Sequence, residues 1–350
     1  MSAQGSGGRR SGTSGGRIGR SVALTHLGTG QFIPSNAGRR RRLWQRRLRC
    51  AIGDNPLMAR SGASPLLVRF APALFILIWA SGYVVAKAAA AHAEPLTFLL
   101  WRYLGTTVLM LLLAVASGVR WPSARDAAHL AVAGIGMQAC YLGGVWVAIG
   151  KGMPAGISAL IVNLQPVLTA ALAFLVHERV SPRQWLGVAL GFGGVVLVVW
   201  QKLVLAGNPL LVPTFLCVFA LLSMTAGTLY QKRYVPNFDL RAGQGIQAVA
   251  SIIVTLPFAL AFESFRIEWN TPVVLAMLWS VLVLTGGGIS LIFVMLRQGR
   301  ATTVTSYMYL VPAVTALMAW AMFGENLSPP ALAGMAVSLL GIWLVAGRRG

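Results

Sequence analysis

Ten apolar runs, each close to the roughly 20 residues a helix needs to cross hydrocarbon, fill residues 70–347. They fall near 70–90, 95–116, 127–149, 155–176, 183–201, 210–231, 241–262, 272–296, 301–323 and 329–347. The last five echo the first five at a fixed offset. At offset 146, Lys87 falls on Arg233, Lys151 on Arg297, Leu164 on Leu310, Pro166 on Pro312 and Thr169 on Thr315. After one inserted residue, at offset 147, Ser181-Pro182 falls on Ser328-Pro329, Gly187 on Gly334 and Gly194 on Gly341. Five is odd, so a second copy of a five-span unit re-enters the bilayer from the opposite side. The chain is therefore expected to be all-α and membrane-integral, with ten transmembrane helices as two inverted five-helix repeats. Such halves hold a polar site between them near the membrane midplane.

The composition excludes a soluble fold. Apolar residues make up 56% and charged residues 11% of the chain, with a mean hydropathy of +0.70, against about 25% charged residues in an ordinary soluble domain. The net charge of +21 suggests a nucleic-acid partner until its distribution is read. Residues 1–60 hold 12 basic residues and one acid, Asp54. The other basic residues sit mostly at the ends of apolar runs, where charge sets topology, so no nucleic acid is expected. With the N-terminus cytoplasmic, eleven basic residues fall in inside loops (Arg120, Arg125, Arg179, Arg183, Lys232, Arg233, Arg241, Arg297, Arg300, Arg348 and Arg349). Only Lys151, Lys202 and Arg266 fall outside. That asymmetry places both termini in the cytoplasm of a multi-pass inner-membrane protein. The acids Glu94, Glu263, Glu268 and Glu325 then lie at outside ends.

Residues 1–65 differ in kind. They are Gly/Ser/Arg-rich and read as a disordered basic extension, with Arg39–Cys50 suited to an anionic membrane surface. Met58 opens a second, shorter start, so translation from Met1 and from Met58 both stand. The two repeats occupy residues 66–204 and 205–350.

Catalytic chemistry finds no footing in this sequence. Gly150-Lys151-Gly152 lacks the spacing and terminal hydroxyl of a phosphate loop. His26, His92, His129 and His177 show no ligand spacing, and Cys50, Cys140 and Cys217 form no CxxC pair. No catalytic residue, metal site or cofactor is expected.

Three stretches carry a family resemblance. Phe75–Leu104 holds Trp79, Ser81, Lys87, Pro95 and Arg102. Pro154–Ala173 reads PAGISALIVNLQPVLTAALA and is followed by His177-Glu178-Arg179. Ala301–Gly334 repeats that block and reaches Glu325. With Gly227–Tyr234 (GTLYQKRY), these resemble the EamA-type ten-helix carriers of the drug/metabolite transporter superfamily, over residues 70–347. The resemblance implies a secondary carrier of small organic solutes, often an exporter of amino acids or other metabolites. It also implies a central cavity lined by helices 1–4 and 6–9, with helices 5 and 10 peripheral. Partners are then a small-molecule solute and the lipid bilayer.

Polar groups inside hydrocarbon are costly and usually face protein or a water-filled cavity. Arg102, about 10 Å down helix 2 at 1.5 Å per residue, offers a planar fork for a carboxylate or an outer gate with Glu94. Its alternative is a structural arginine held by carbonyls. Lys87, His92 and Glu94 form a candidate outer mouth, with Lys87 pairing with Glu94 or snorkelling outward. Asn163 and Gln165 flank Pro166, and Tyr307 and Tyr309 precede Pro312, so each proline is a candidate kink beside a polar site. Gln138 and Tyr141, three apart on one face, and Trp79 and Ser81 complete the substrate-binding candidates. Interhelical hydrogen bonding and aromatic packing are the competing roles for all of them. Gly187, Gly191, Gly193, Gly194, Gly334 and Gly341 allow close helix packing and are compatible with a homodimer face. A membrane-embedded enzyme and a non-transporting scaffold remain as other functions. The first requires clustered acids, histidines or a metal motif that the short loops lack.

Overall fold

A computed structural model describes residues 65–172, 181–206, 210–297, 308–325 and 328–346, and the basic extension lies outside the described residues. The described chain is helical, joined by short turns and one isolated bridge between Ala93 and Ile267. Hydrocarbon offers no water to backbone N–H and C=O groups, so apolar runs of this length satisfy them internally as helices. In order they are α1 (Pro65–Ala90), α2 (Pro95–Ala116), α3 (Ala124–Gly150), α4 in two halves (Ala155–Val162 and Gln165–Leu172) and α5 (Pro182–Ala206). Then follow α6 (Leu211–Tyr234), α7 (Leu240–Phe262), α8 (Thr271–Leu278, Trp279–Gly287 and Gly288–Arg297), α9 (Met308–Leu310 and Val311–Phe323) and α10 (Pro329–Ala346).

Seven helices among the described residues are long and apolar enough to cross a bilayer. They are Phe70–Ala90, Pro95–Ala116, Ala124–Gly150, Pro182–Trp200, Leu211–Tyr234, Leu240–Phe262 and Thr271–Ile292. Ala155–Thr169, Val311–Phe323 and Ala331–Val345 are shorter apolar helices. The runs expected at 155–176 and 301–323 continue into residues outside the described set, which shortens them here.

Proline lacks an N–H and clashes one turn back, and α4 breaks at that place. Its first half stops at Val162, Asn163 takes φ −71°, ψ 1°, and the second half starts at Gln165, beside Pro166. The Asn163 amide donates to the Ala159 carbonyl at 2.8 Å and patches the break. Pro312 differs from its expected role as a kink. It sits in the first turn of the α-helical part of α9, after a 3-10 turn, where a missing N–H costs nothing.

Two helices carry wide-turn π segments, Ile135–Cys140 in α3 and Trp279–Gly287 in α8. The 146-residue offset seen in the sequence lays one segment on the other, and π-bulges recur at functional sites. In α8 the Thr285 hydroxyl donates to the Ser280 carbonyl five residues back, at 3.1 Å.

The helices pack as α2 on α7, α3 on α6 and α7, α1 on α8 and α9, α4 on α6 and α9, and α5 on α10. Phe98, Leu99 and Tyr103 are fully buried, whereas Phe215 and Phe262 are 70% and 79% exposed. A surface this apolar suits lipid rather than water. The α5–α10 crossing brings backbone close to backbone at its glycines. A methyl group on Gly187 would lie 2.7 Å from the Gly341 carbonyl oxygen, and one on Gly334 would lie 2.8 Å from that of Gly194. The two helices therefore run antiparallel, and these glycines are occupied within the chain.

Candidate functional site

A cavity of about 160 Å³ lies between α1, α2, α3, α6, α7 and α8. Each helix supplies residues at helical spacing. Trp79 and Tyr83 come from α1, Arg102, Tyr103 and Thr106 from α2, and Gln138, Tyr141 and Trp146 from α3. Met224 comes from α6, Gln244 and Gln247 from α7, and Thr285 from the π segment of α8.

Amides tie the walls together. The Gln138 side-chain nitrogen donates to Gln244 Oε1 at 2.7 Å and to Gln247 Oε1 at 3.3 Å, and Gln247 donates to Gln231 Oε1 at 2.6 Å. The Tyr103 hydroxyl donates to the Gln138 carbonyl at 3.0 Å, and the Tyr83 and Tyr141 hydroxyls meet at 3.3 Å. The π segment of α3 carries Gln138, so the irregular turn and the amide junction coincide. Trp146 stacks on Phe98 with ring centroids 4.7 Å apart, closing one side.

Arg102 breaks this pattern of satisfied partners. Its Nε is buried without a hydrogen-bond partner, and no described carboxylate pairs with it. A guanidinium cannot neutralise itself, and a buried unpaired charge is costly. Chemically, the cavity offers one fixed cation with a free donor, a row of amides and aromatic walls.

The structure brings Arg102, Gln138, Tyr141 and Trp79 together around this cavity. Asn163, Gln165 and Ser81 are engaged elsewhere. Gln165 donates to the Thr228 hydroxyl at 3.0 Å, toward α6. The Ser81 hydroxyl donates to the Ile78 carbonyl at 2.6 Å and accepts from the Trp279 indole at 2.8 Å. Tyr307 and the side chain of Tyr309 lie outside the described residues. Tyr83, on the same helix as Trp79 and Ser81, also lines the cavity, and Tyr103, Thr106, Gln244 and Thr285 join it without having stood out in the sequence. Gln244 and Gln247 carried the same signal as Gln138 and Tyr141, two polar groups three apart on an apolar helix.

The α1–α2, α7–α8 and α9–α10 connections meet at one end of the bundle. Lys87 pairs there with Glu325 rather than with Glu94, and its ammonium lies 5.3 Å from the centroid of the Phe323 ring. Glu325 Oε1 also accepts from the Ala155 N–H at 3.2 Å, at the start of α4, while its Oε2 is buried without a partner. Glu94 accepts from the Ser264 and Arg266 N–H groups at 2.9 and 2.8 Å and does not reach Arg102. Glu263 caps α2 from the end of the neighbouring α7, accepting from the Leu96 and Thr97 N–H groups at 2.8 and 2.7 Å. A carboxylate at a helix N-terminus meets orphan donors and the positive end of the macrodipole. His92 lies 3.1 Å from Glu268, which also binds Arg266. The Arg266 and His92 hydrogen bonds hold the Glu268 carboxyl below its ordinary value. At the opposite end, burial disfavours the Asp239 carboxylate, but hydrogen bonds and charge from Arg241 outweigh it and lower its pKa.

Among the described residues, no three His, Cys, Asp or Glu side chains come together to hold a metal ion.

Comparison with known proteins agrees with this architecture. The model of the EamA-like transporter family matches residues 70–200 and again 212–347. The uncharacterized inner membrane transporter YedA of Escherichia coli K12 is 26% identical over 275 residues, covering 78% of this chain and 89% of its own. A probable amino-acid metabolite efflux pump of Salmonella typhimurium is 26% identical over 289 residues, 79% of this chain and 93% of the relative. The uncharacterized transporter YvbV of Bacillus subtilis is 25% identical over 282 residues, 78% and 89% of the two chains. A crystal structure sharing 16% identity superposes with a TM-score of 0.55 over 80% of this chain and 96% of that one, a likeness of fold.

Proposed function

The chain belongs to the EamA-like transporter family, and from that premise we propose that it is a secondary transporter moving small organic metabolites such as amino acids across the cytoplasmic membrane by alternating access. The observation that carries the reading is Arg102. It lines the cavity with an unpartnered buried Nε, and the cavity walls supply no acid to neutralise it. A carboxylate docked there gains a charge-assisted, bidentate partner and removes the cost of the lone cation. Amide oxygens of the glutamines and the faces of Trp79 and Trp146 receive the rest of the solute.

Ten crossings in two inverted halves, 66–204 and 205–350, with both termini cytoplasmic, complete the proposal. The antiparallel α5–α10 crossing supports inversion, because these helices are repeat mates. The contacts also come in exchanged pairs: α3 on α6 is answered by α8 on α1, and α3 on α7 by α8 on α2. The end bearing Glu94, Glu263, Glu268 and Glu325 faces outward, and its ties describe an outward-closed conformation.

Arg102→Gln keeps a polar side chain of similar reach and removes the charge. Counterflow in proteoliposomes, with a panel of amino acids and other carboxylated metabolites, should fall at least tenfold for solutes the parent moves, with membrane insertion intact. Undiminished counterflow of those solutes would remove Arg102 from the site.

A further inference from the structure

Around Arg102 the charge is one-sided. The ionisable groups that act on its guanidinium are the phenols of Tyr103 and Tyr141, and a phenol is neutral near pH 7. The described acids, Glu94, Asp126, Asp239, Glu263, Glu268 and Glu325, all stand in first turns, caps or connections of helices. None of them lines the cavity. A carboxylate beside Arg102 is stabilised. An ammonium two bonds away from that carboxylate is repelled by the same guanidinium, with no anion at hand to offset it.

Gln138, Gln244 and Gln247 on the cavity wall indicate what accompanies the carboxylate. Gln138 Nε2 donates to Gln244 Oε1 and to Gln247 Oε1, and Gln247 Nε2 donates to Gln231. Gln138 Oε1 and Gln244 Nε2 are left without a partner among the described residues. An amide pair joined by a single N–H···O bond always leaves one oxygen and one nitrogen over, whichever way the two amides are turned. A free oxygen beside a free NH₂ complements a secondary amide, which donates through its N–H and accepts through its carbonyl. An ammonium only donates, so it would leave the Gln244 nitrogen unmatched, and an unmade hydrogen bond in a desolvated site is costly. Leu142, Val145 and Met224 add apolar wall to the same cavity.

We infer that the solute is an N-acylated amino acid with an apolar side chain. Its carboxylate meets Arg102, its acyl amide spans Gln138 and Gln244, and its side chain lies against Leu142, Val145 and Met224. Acylation removes the ammonium charge that Arg102 repels and creates the N–H and C=O pair that the two glutamines match. The inference rests on the carboxylate docking proposed above for Arg102 and narrows the class of metabolite that docks there.

Isothermal titration calorimetry of the detergent-purified full-length chain tests this with N-acetylleucine, leucine, 4-methylpentanoate (leucine without its nitrogen) and N-acetylleucinamide (no carboxylate). N-Acetylleucine should bind at least about tenfold tighter than each of the others. Gln244→Glu keeps an oxygen for Gln138, replaces the free donor with an acceptor and puts an anion in the cavity. It should lower the ratio of N-acetylleucine to leucine affinity at least about tenfold. Leucine or 4-methylpentanoate binding as tightly as N-acetylleucine overturns the acyl amide and leaves the carboxylate docking intact. An unchanged ratio in monodisperse Gln244→Glu protein overturns the assignment to Gln138 and Gln244. N-Acetylleucinamide binding as tightly as N-acetylleucine overturns the docking on Arg102, and the inference with it. Binding by none of the compounds overturns the inference alone, and the counterflow of Arg102→Gln then decides the docking separately.

Discussion

Replacing Glu325 with Gln removes the anion of the Lys87 pair and leaves an oxygen that can still accept from the Ala155 N–H. In a setting of intermediate dielectric, opposite charges about 4 Å apart attract by about 4 kcal/mol before other costs. Lys87 is 32% exposed and Glu325 is 10% exposed by side chain, so solvent screening and desolvation offset much of that. A net loss of about 1–3 kcal/mol at the end held by this pair remains. If the pair holds this end shut, the open population rises about 5- to 150-fold. Val145 lines the cavity and is 2% exposed, which suits it as a reporter. A Val145→Cys protein with Cys50, Cys140 and Cys217 changed to Ser should react slowly with a membrane-impermeant thiol reagent added outside. Adding Glu325→Gln should speed that reaction about tenfold, and Lys87→Gln should do the same. Combining the two should add little further, because each removes the same interaction. Reaction rates within twofold of the parent, in protein that unfolds at an unchanged temperature, would refute the closure assigned to this pair.

Glu263→Gln keeps one carbonyl oxygen for the α2 N-terminus but loses the second acceptor and the charge. A loss of about 1–2 kcal/mol is expected, read as a lower midpoint in thermal unfolding monitored by a thiol-reactive dye. Gly334→Leu drives a side chain into the Gly194 carbonyl and Val198. It should cost more than about 3 kcal/mol, seen as collapse of the monodisperse peak in size-exclusion chromatography. Asp239 has a folded pKa below its ordinary value of 3.8. Its contribution to stability is therefore complete above that value and lost as pH falls through the lower folded pKa. Thermal stability should drop as the pH is lowered below 3.8, and Asp239→Asn should flatten that slope.

The helices, their approximate limits and the α4 break were legible because each follows from local chemistry. Length and hydropathy mark a span, and Pro166 takes away one backbone donor in mid-run, although Pro72 and Pro257 are carried inside unbroken helices. Side-chain partners set by tertiary closure were not legible. Glu94 was the nearest acid to Lys87 in sequence, yet Glu325 reaches it from a connection 238 residues away. Glu94 in turn is drawn off by two N–H groups of the α7–α8 connection, which no pattern in the α1–α2 segment announces. Within the cavity, Arg102, Gln138, Tyr141 and Trp79 were legible as polar or aromatic groups at mid-helix. Tyr103 was not, since a tyrosine on an apolar helix packs equally well against a neighbouring helix. Asn163 shows the converse: the sequence marked it as polar and deep, and it spends its amide on its own helix.

The α5–α10 crossing has a mechanical consequence. Side chains can re-pack into two discrete arrangements, which is how packed interfaces switch. Glycines here meet carbonyls, Val198 and Val345 close against them, and the Ser338 hydroxyl donates to the Gly191 carbonyl, so the contact leaves no slack. On the transport cycle proposed above, this junction is suited to act as an axle about which the rest of the bundle turns, and a molecule cross-linked there should still cycle.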